Sequence, residues 1–179
     1  LELSRNIANK FNLDFNSPDF LIAPEPLIQK NFSRIMSLKD GNKKMSKSDP
    51  SDLSRINLND SRDEIFNKIK KAKTDTLPLP ENENELASRP EAENLIGIYS
   101  SLNNQSIIKT INEFSGKNFS EFKEKLASLV VEKISPISSE MNKLLKDEKF
   151  IDEVLNDGAQ KADKIASEKI KNIKKIIGF

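Results

Sequence analysis

Residues 119–144 read FSEFKEKLASLVVEKISPISSEMNKL, and this stretch indicates the fold class of the chain. Its apolar residues recur every three or four positions, which is the spacing of one helix face. The rhythm continues through Pro136, so the pattern predicts either one helix kinked at that proline or two helices that meet there. The apolar positions are Phe122, Leu126, Val130, Ile134, Ile137, Met141 and Leu144.

Helical spacing continues on both sides of this stretch. Toward the C-terminus, Phe150 begins a further helix, which Gly158 either interrupts or ends. Toward the N-terminus, Ser61 and Glu64 have the spacing of a capping box. From about residue 60 onward, the sequence predicts an antiparallel bundle of roughly four to six helices.

The first 40 residues have a different pattern. Residues 1–12 have a helical apolar face, whereas residues 20–28 are short apolar runs between prolines, which predict strand ends, edges or extended loops. Residues 32–38 predict one more short strand. Residues 1–40 are therefore interpreted as a helix followed by strands, which is part of an α/β layer.

Two stretches have no apolar period. Residues 39–55 are almost all polar and predict a loop. Residues 74–89 contain two prolines and many Glu and Asn residues, and they predict an exposed, mobile connection.

Composition excludes several classes of chemistry. The chain has no His and no Cys, so a Ser-His-Asp triad, a thiolate nucleophile, a zinc finger and a disulfide are impossible within it. Any metal would need oxygen ligands. With 29 basic and 28 acidic residues the net charge is +1, so phosphate recognition must be local. No apolar run approaches the length of about 18 residues that spans a membrane.

The polar stretch contains a basic segment, KKMSKSDP, at residues 43–50. Three lysines fall within five residues, and the serines between them add hydrogen-bond donors. Because lysine is a flexible point charge, such a loop suits a polyphosphate and the charge that develops during transfer at phosphorus. A solvated surface turn is the general alternative for a short basic pattern.

This segment resembles a known signature. Lys44-Met45-Ser46-Lys47-Ser48 matches the signature loop of class I aminoacyl-tRNA synthetases letter for letter. Residues 34–38 resemble the strand before that loop in bacterial tryptophanyl-tRNA synthetases, and the similarity is colinear from residue 1 to the C-terminus. The other similar segments are residues 1–8, 74–75, 94–100 and 158–159.

The resemblance comes with two departures. The family's His-containing motif is impossible here, and no Gln follows an Asp as in the family's Asp-Gln motif. We therefore interpret the chain as the C-terminal half of such an enzyme. The alternative is a non-catalytic helical module that binds RNA or a protein and retains the basic loop.

The resemblance implies a mainly α fold, in which a C-terminal antiparallel helical bundle is attached to the trailing strands and helix of a Rossmann-type α/β nucleotide-binding domain. It places the end of the catalytic domain at residues 1–52 and a helical tRNA-binding domain at residues 53–179.

The implied reaction is ATP-dependent activation of L-tryptophan, followed by transfer to tRNA(Trp). Mg²⁺ would enter with ATP as substrate, and no protein-bound metal is expected. The complete enzyme would be a cytoplasmic homodimer with no membrane contact, and this chain alone would be inactive and compatible with a monomer.

The resemblance also implies residue roles. Lys44 and Lys47 would be the catalytic residues that neutralise the departing pyrophosphate, and Lys47 is expected to contribute most. The ATP-binding residues would be Ile35, Lys44, Met45, Ser46, Lys47 and Ser48. Among these, the Ile35 backbone would border the adenine, and Met45 is best interpreted as an apolar anchor.

A second candidate surface is the basic C-terminal helix. In this family the helical region approaches the anticodon, so Lys171, Lys174 and Lys175 would contact the tRNA backbone. An ordinary solvated face, with cations favoured at a helix C-terminus, explains the same lysines about as well.

Overall fold

The computed structural model describes residues 1–27 and 33–179, and within them the chain is mainly helical, as predicted. The α-helices are Glu2–Asp14 (α1), Arg62–Lys70 (α2), Pro90–Leu102 (α3), Ile107–Phe114 (α4), Phe119–Leu144 (α5) and Glu148–Ile177 (α6). The strands are Met36–Ser37 (β1) and Asp40–Lys44 (β2), which pair antiparallel. Two short 3-10 helices cover Asp52–Ser54 and Glu83–Ser88.

The chain forms two compact units. One consists of Leu1–Ile28 and Asp147–Phe179, and the other of Gln29–Lys146. The second unit therefore contains the hairpin and helices α2 to α5, whereas α1 and α6 belong to the first. The domain boundary that we place after residue 52 stays a prediction.

The core of the larger unit lies between α2, α3, α4 and α5. Phe122 and Ile65 are fully buried there. The Phe114 ring packs edge-to-face against the ring of Tyr99 at 5.0 Å and against the ring of Phe122 at 4.9 Å between centroids. The N-terminus of α2 has the predicted capping box, since Ser61 Oγ accepts from the Glu64 N–H at 3.3 Å.

Both ambiguous helices are continuous. α5 passes through Pro136 without a break, and α6 passes through Gly158, so the prediction that this glycine interrupts or ends a helix is wrong. The physical reason is that the free-energy cost is small, since one glycine destabilises a helix by only about 1 kcal/mol relative to alanine. A helix with many other favourable residues tolerates that cost.

The polar stretch 39–55 is not entirely a loop, since β2 occupies its first part. The sequence does not predict this strand, because three of its five residues are exposed and DGNKK contains no residues that favour β-structure. The strand predicted for residues 32–38 shortens to Met36–Ser37, and Phe32 lies outside the described residues. Residues 20–27 have no strand, which fits the extended-loop alternative.

The connection 74–89 is largely exposed, as predicted, but it is anchored to the core at several points that its composition did not indicate; its mobility stays a prediction. Leu79 and Leu86 are buried, and residues Glu83–Ser88 form a 3-10 helix. The Arg89 guanidinium, 9% exposed, donates to both carboxylate oxygens of Asp75 at 2.7 and 2.8 Å. This fork holds the pKa of Asp75 below its usual range. A long-range ion pair of this kind is invisible to local composition.

The described part of the chain includes no helix that combines the length and the apolar character needed to cross a membrane.

Candidate phosphate-binding loop

The hairpin β1–β2 positions the start of the basic loop. Met36 lies opposite Lys44 and Ser37 opposite Asp40, with an irregularity between the two pairs. The Met45 N–H donates to the Ile35 carbonyl at 3.0 Å, which extends the pairing by one step. The segment Lys44–Ser48 therefore leaves directly from a hydrogen-bonded strand.

The other edge of β1 is covered by a side chain of α3. Asn94 is 2% exposed, its Oδ1 accepts from the Met36 N–H at 2.8 Å, and its Nδ2 donates to the Met36 carbonyl at 2.9 Å. Gly41 of β2 also approaches α3 closely, since a Cβ there would lie 2.5 Å from the Pro90 carbonyl carbon. The hairpin thus rests on the first turns of α3.

The two lysines of the motif have free ammonium groups within the described residues. Lys44 and Lys47 are exposed, and no acidic group described in the structure forms an ion pair with either of them. Lys43, by contrast, lies 3.5 Å from Asp40. Two positive charges on one short segment, without counter-charges, are suited to bind a multiply charged anion.

The uncharged residues of the motif hold the loop together. Ser46 Oγ and Ser48 Oγ are 2.9 Å apart, and Ser46 Oγ also accepts from the Ser48 N–H at 3.3 Å. Met45 is partly buried and packs against the core, as an apolar anchor would. The hydroxyl groups are exposed, so a phosphate oxygen can replace the serine–serine contact.

The C-terminal end of the loop is fixed by Arg55. Its Nη1 donates to the Asp49 carbonyl at 2.9 Å, and its Nη2 lies 2.9 Å from Asp52 Oδ1. The loop is therefore held at Met45 on one side and at Asp49 on the other. The charged segment between these points is the part that is exposed.

Asp52 also binds a buried lysine, Lys68, that the sequence did not single out. The Lys68 side chain is 3% exposed, and its Nζ lies 2.6 Å from both Asp52 and Asp60. Burial opposes the charge on Lys68, but the hydrogen bonds to these carboxylates outweigh it and raise its pKa. The hydrogen bond from Lys68 to Asp52 also lowers the pKa of Asp52. The signal in the sequence was weak, because a lysine on a short helix normally faces solvent.

A groove of about 1040 Å³ lies elsewhere in the same unit, lined by residues that include Phe66, Lys70, Phe119 and Lys123. Burial lowers the pKa of Lys123, whose Nζ already donates to the Ala72 carbonyl at 2.7 Å. Because the partly buried ammonium of Lys123 is engaged with backbone, this groove is a weaker anion site than the loop.

The C-terminal lysines belong to the other unit. Lys171, Lys174 and Lys175 are exposed on α6 and line a shallow groove of about 410 Å³ together with Ile170 and Phe179. A different lysine of the helix is engaged, since Lys169 Nζ donates to the Phe20 carbonyl at 2.6 Å and lies 4.1 Å from the Phe20 ring centroid.

No group of three acidic side chains that could hold a metal ion occurs in the described ranges 1–27 and 33–179.

The fold and the loop define a class of protein. Residues 1–149 match the family described as tRNA synthetases class I (W and Y), and the chain belongs to this family.

Individual relatives narrow the similarity to tryptophan enzymes. The chain is 50% identical over 179 residues to the tryptophan–tRNA ligase of Caulobacter vibrioides, and 46% identical to that of Rickettsia felis. These alignments cover 100% of this chain but 52% and 53% of the two relatives. The chain therefore spans about half the length of the curated relatives, and the resemblance to bacterial tryptophanyl-tRNA synthetases is confirmed.

Solved structures of tryptophanyl-tRNA synthetases have a similar fold. The tryptophanyl-tRNA synthetase of Mycoplasma pneumoniae superposes with a TM-score of 0.82 at 23% identity, which shows the fold alone, and the match covers 99% of this chain and 52% of that one. The Campylobacter jejuni enzyme complexed with ADP and tryptophan gives a TM-score of 0.68 at 26% identity, covering 99% of this chain and 53% of that one.

Proposed function

We propose that this chain is the part of a tryptophan–tRNA ligase that holds the phosphates of ATP and contacts tRNA(Trp). The observation that supports the proposal most strongly is the state of Lys44 and Lys47. Both are exposed, and within the described structure both are without acidic partners, on a loop that is fixed at its two ends. This loop also has the full signature Lys44–Ser48 of the family.

The proposed first step is adenylate formation. A carboxylate oxygen of tryptophan attacks the α-phosphorus of ATP, and the bond from that phosphorus to the bridging oxygen of the β-phosphate breaks. Pyrophosphate leaves with the bonding electron pair, so negative charge grows on it through the transition state. Lys44 and Lys47 stabilise that charge, and Ser46 and Ser48 donate hydrogen bonds to its oxygens.

The geometry of the free loop suits a transition-state role. The two ammonium groups are solvated before the reaction, so contacts that tighten only as pyrophosphate departs lower the barrier more than they strengthen ATP binding. Mg²⁺ accompanies ATP as part of the substrate. The backbone of Ile35, a residue that is 45% exposed and whose carbonyl accepts from the Met45 N–H, borders the adenine in this proposal.

The second step transfers the aminoacyl group to the 3′ end of tRNA(Trp). In the proposal, Lys171, Lys174 and Lys175 on α6 contact the phosphate backbone of that tRNA. The partners of the complete protein are then ATP, L-tryptophan, tRNA(Trp) and a second copy in a homodimer.

The test is amino-acid-dependent exchange of labelled pyrophosphate into ATP, catalysed by the complete polypeptide that contains this chain. Exchange should require tryptophan, and tyrosine at the same concentration should not replace it. The 179-residue chain alone should give no exchange. A complete polypeptide that binds RNA but gives no exchange with any amino acid would overturn the proposal in favour of a non-catalytic binding module.

A further inference from the structure

We infer that Asn94 is a positioning residue for adenylate formation, acting through the backbone of β1 on the start of the Lys44–Ser48 loop. This inference rests on the proposed function. It assigns a role in the reaction to a side chain of α3 that does not belong to the signature loop.

The first step of the argument is the two-point contact between Asn94 and Met36. The side-chain amide accepts from the Met36 N–H at 2.8 Å and donates to the Met36 carbonyl at 2.9 Å. A carboxamide has the same donor and acceptor arrangement as a peptide group. Asn94 therefore occupies the place of a neighbouring strand on the edge of β1 that β2 leaves open.

The second step is the connection from β1 to the loop. The residue next to Met36 is Ile35, whose carbonyl accepts from the Met45 N–H at 3.0 Å. A shift of the Met36 peptide displaces that carbonyl and, with it, the first residues of the loop. The chain of contacts runs from Asn94 to Met36, to Ile35 and then to Met45.

The third step concerns burial. Asn94 is 2% exposed, so water cannot readily replace its amide when the side chain is truncated. The lost contacts leave the Met36 N–H and carbonyl with no strand partner on that edge. We expect β1 to relax away from α3, because an unsatisfied backbone group gains by moving toward solvent.

The chain offers a matched control on the same helix. Ser100 is 3% exposed, and its hydroxyl lies 2.7 Å from Thr110 Oγ1 and donates to the Ile96 carbonyl at 2.8 Å. Its partners lie on α3 and α4, not on the hairpin. Ser100→Ala thus removes buried hydrogen bonds from α3 without touching β1.

The experiment measures single-turnover adenylate formation and the KM for ATP in the complete polypeptide. Asn94→Ala should lower the rate constant at least about tenfold, since misplacement by about 1 Å can cost on the order of 100-fold. It should also raise the KM for ATP, because the Ile35 backbone moves. Ser100→Ala should leave both values within about twofold of wild type at a similar loss of thermal stability.

Asn94→Asp is the second variant and keeps the side-chain size. Its carboxylate still accepts from the Met36 N–H but cannot donate to the carbonyl, so the same two kinetic changes are expected if the pair of contacts positions the strand. Equal kinetics for folded Asn94 variants and wild type would overturn the inference.

Amide hydrogen exchange of the same proteins gives a readout that does not depend on activity. Protection at Met36 and Met45 should fall at least about tenfold in Asn94→Ala and stay unchanged in Ser100→Ala. Unchanged protection at Met45 would also contradict the inference. A wild-type polypeptide that lacks exchange of pyrophosphate would overturn the proposed function instead, whereas the amide result would still show whether Asn94 anchors the loop.

Discussion

Lys68 shows how a single buried charge supports an exposed loop. Its ammonium lies 2.6 Å from both Asp52 and Asp60, and Asp52 in turn binds Arg55, which holds the Asp49 carbonyl at the end of the loop. A buried ion pair adds little net stability by itself, but removal of one partner leaves an uncompensated charge. Lys68 is therefore a structural support of the site rather than a ligand of phosphate.

Replacement of Lys68 by methionine should destabilise the chain by roughly 3 kcal/mol, because the buried Asp60 loses its cationic partner while the packing of the lysine stem is kept. Urea unfolding followed by circular dichroism measures this loss. The double variant Lys68→Met/Asp60→Asn should recover part of it. A double variant less stable than the single one would contradict the charge argument.

The same network has a defined pH dependence. The Asp52 carboxyl has its pKa lowered chiefly by the hydrogen bond from Lys68, so the stabilisation is fully present above the unfolded value of about 3.9 and is lost as pH falls through the lowered value. The stability difference between wild type and Lys68→Met should thus shrink when the pH drops from about 5 to below 4. A stability difference between wild type and Lys68→Met that grows at low pH would contradict the role of the ionised Asp52.

At the scale of elements, two glycines have opposite roles. In α6, a Cβ at Gly158 would meet nothing within 4 Å, whereas at Gly41 it would lie 2.5 to 2.7 Å from the backbone of Pro90 and Glu91. The first position has room for a side chain, and the second requires its absence because the hairpin touches α3.

Gly158→Ala should therefore stabilise α6 by up to about 1 kcal/mol, the difference in helix propensity, with a higher thermal midpoint. Gly41→Ala should lower the midpoint, since the hairpin must move away from α3. Circular dichroism melting of both variants gives the comparison. A lower thermal midpoint for Gly158→Ala would contradict this prediction, because the structure leaves room for a side chain at that position.

The elements that sequence predicts correctly are those fixed by local rules. The capping box at Ser61 and the buried apolar positions Phe122, Leu126 and Val130 of α5 depend on residues within one or two turns. The strand Asp40–Lys44 depends on its contact with α3, and the connection 74–89 is anchored by Leu79 and Leu86 in the core and by the Asp75–Arg89 pair across 14 positions. The composition of both segments suggests solvent. Local rules fail wherever a long-range contact decides the structure.

The site divides in the same way. The signature Lys44–Ser48 is contiguous, so the sequence alone singles it out. Its supports, Asn94 and Lys68, lie 50 and 24 positions after Lys44 and look like ordinary residues of helices. A sequence pattern identifies the charges that we propose face a ligand, and only the fold shows what holds them.

At the scale of the whole molecule, the two candidate surfaces lie in different compact units, the loop in Gln29–Lys146 and the lysines of α6 in the unit with Asp147–Phe179. They correspond to the two proposed steps, activation and transfer. Each surface can therefore be disabled separately.

Charge reversal at Lys171 and Lys175 should weaken binding of tRNA(Trp) to the complete polypeptide and make it less salt-dependent. Each phosphate contact contributes about 0.7 to 0.9 to the slope of log K against log salt, so the slope should become shallower by about 1 to 2. Lys146→Glu/Lys149→Glu makes the same charge change outside the proposed surface and serves as the control. An unchanged slope in Lys171→Glu/Lys175→Glu would identify those lysines as an ordinary solvated face.

The claim that Lys47 stabilises the departing pyrophosphate is tested most directly by stopped-flow measurement of adenylate formation in the complete polypeptide, with ATP affinity measured separately. Lys47→Ala should lower the rate constant by on the order of 100-fold or more while ATP binding changes far less. Lys39→Ala removes an exposed lysine from the hairpin turn and should leave both values near wild type. An unchanged rate constant in Lys47→Ala would contradict the account.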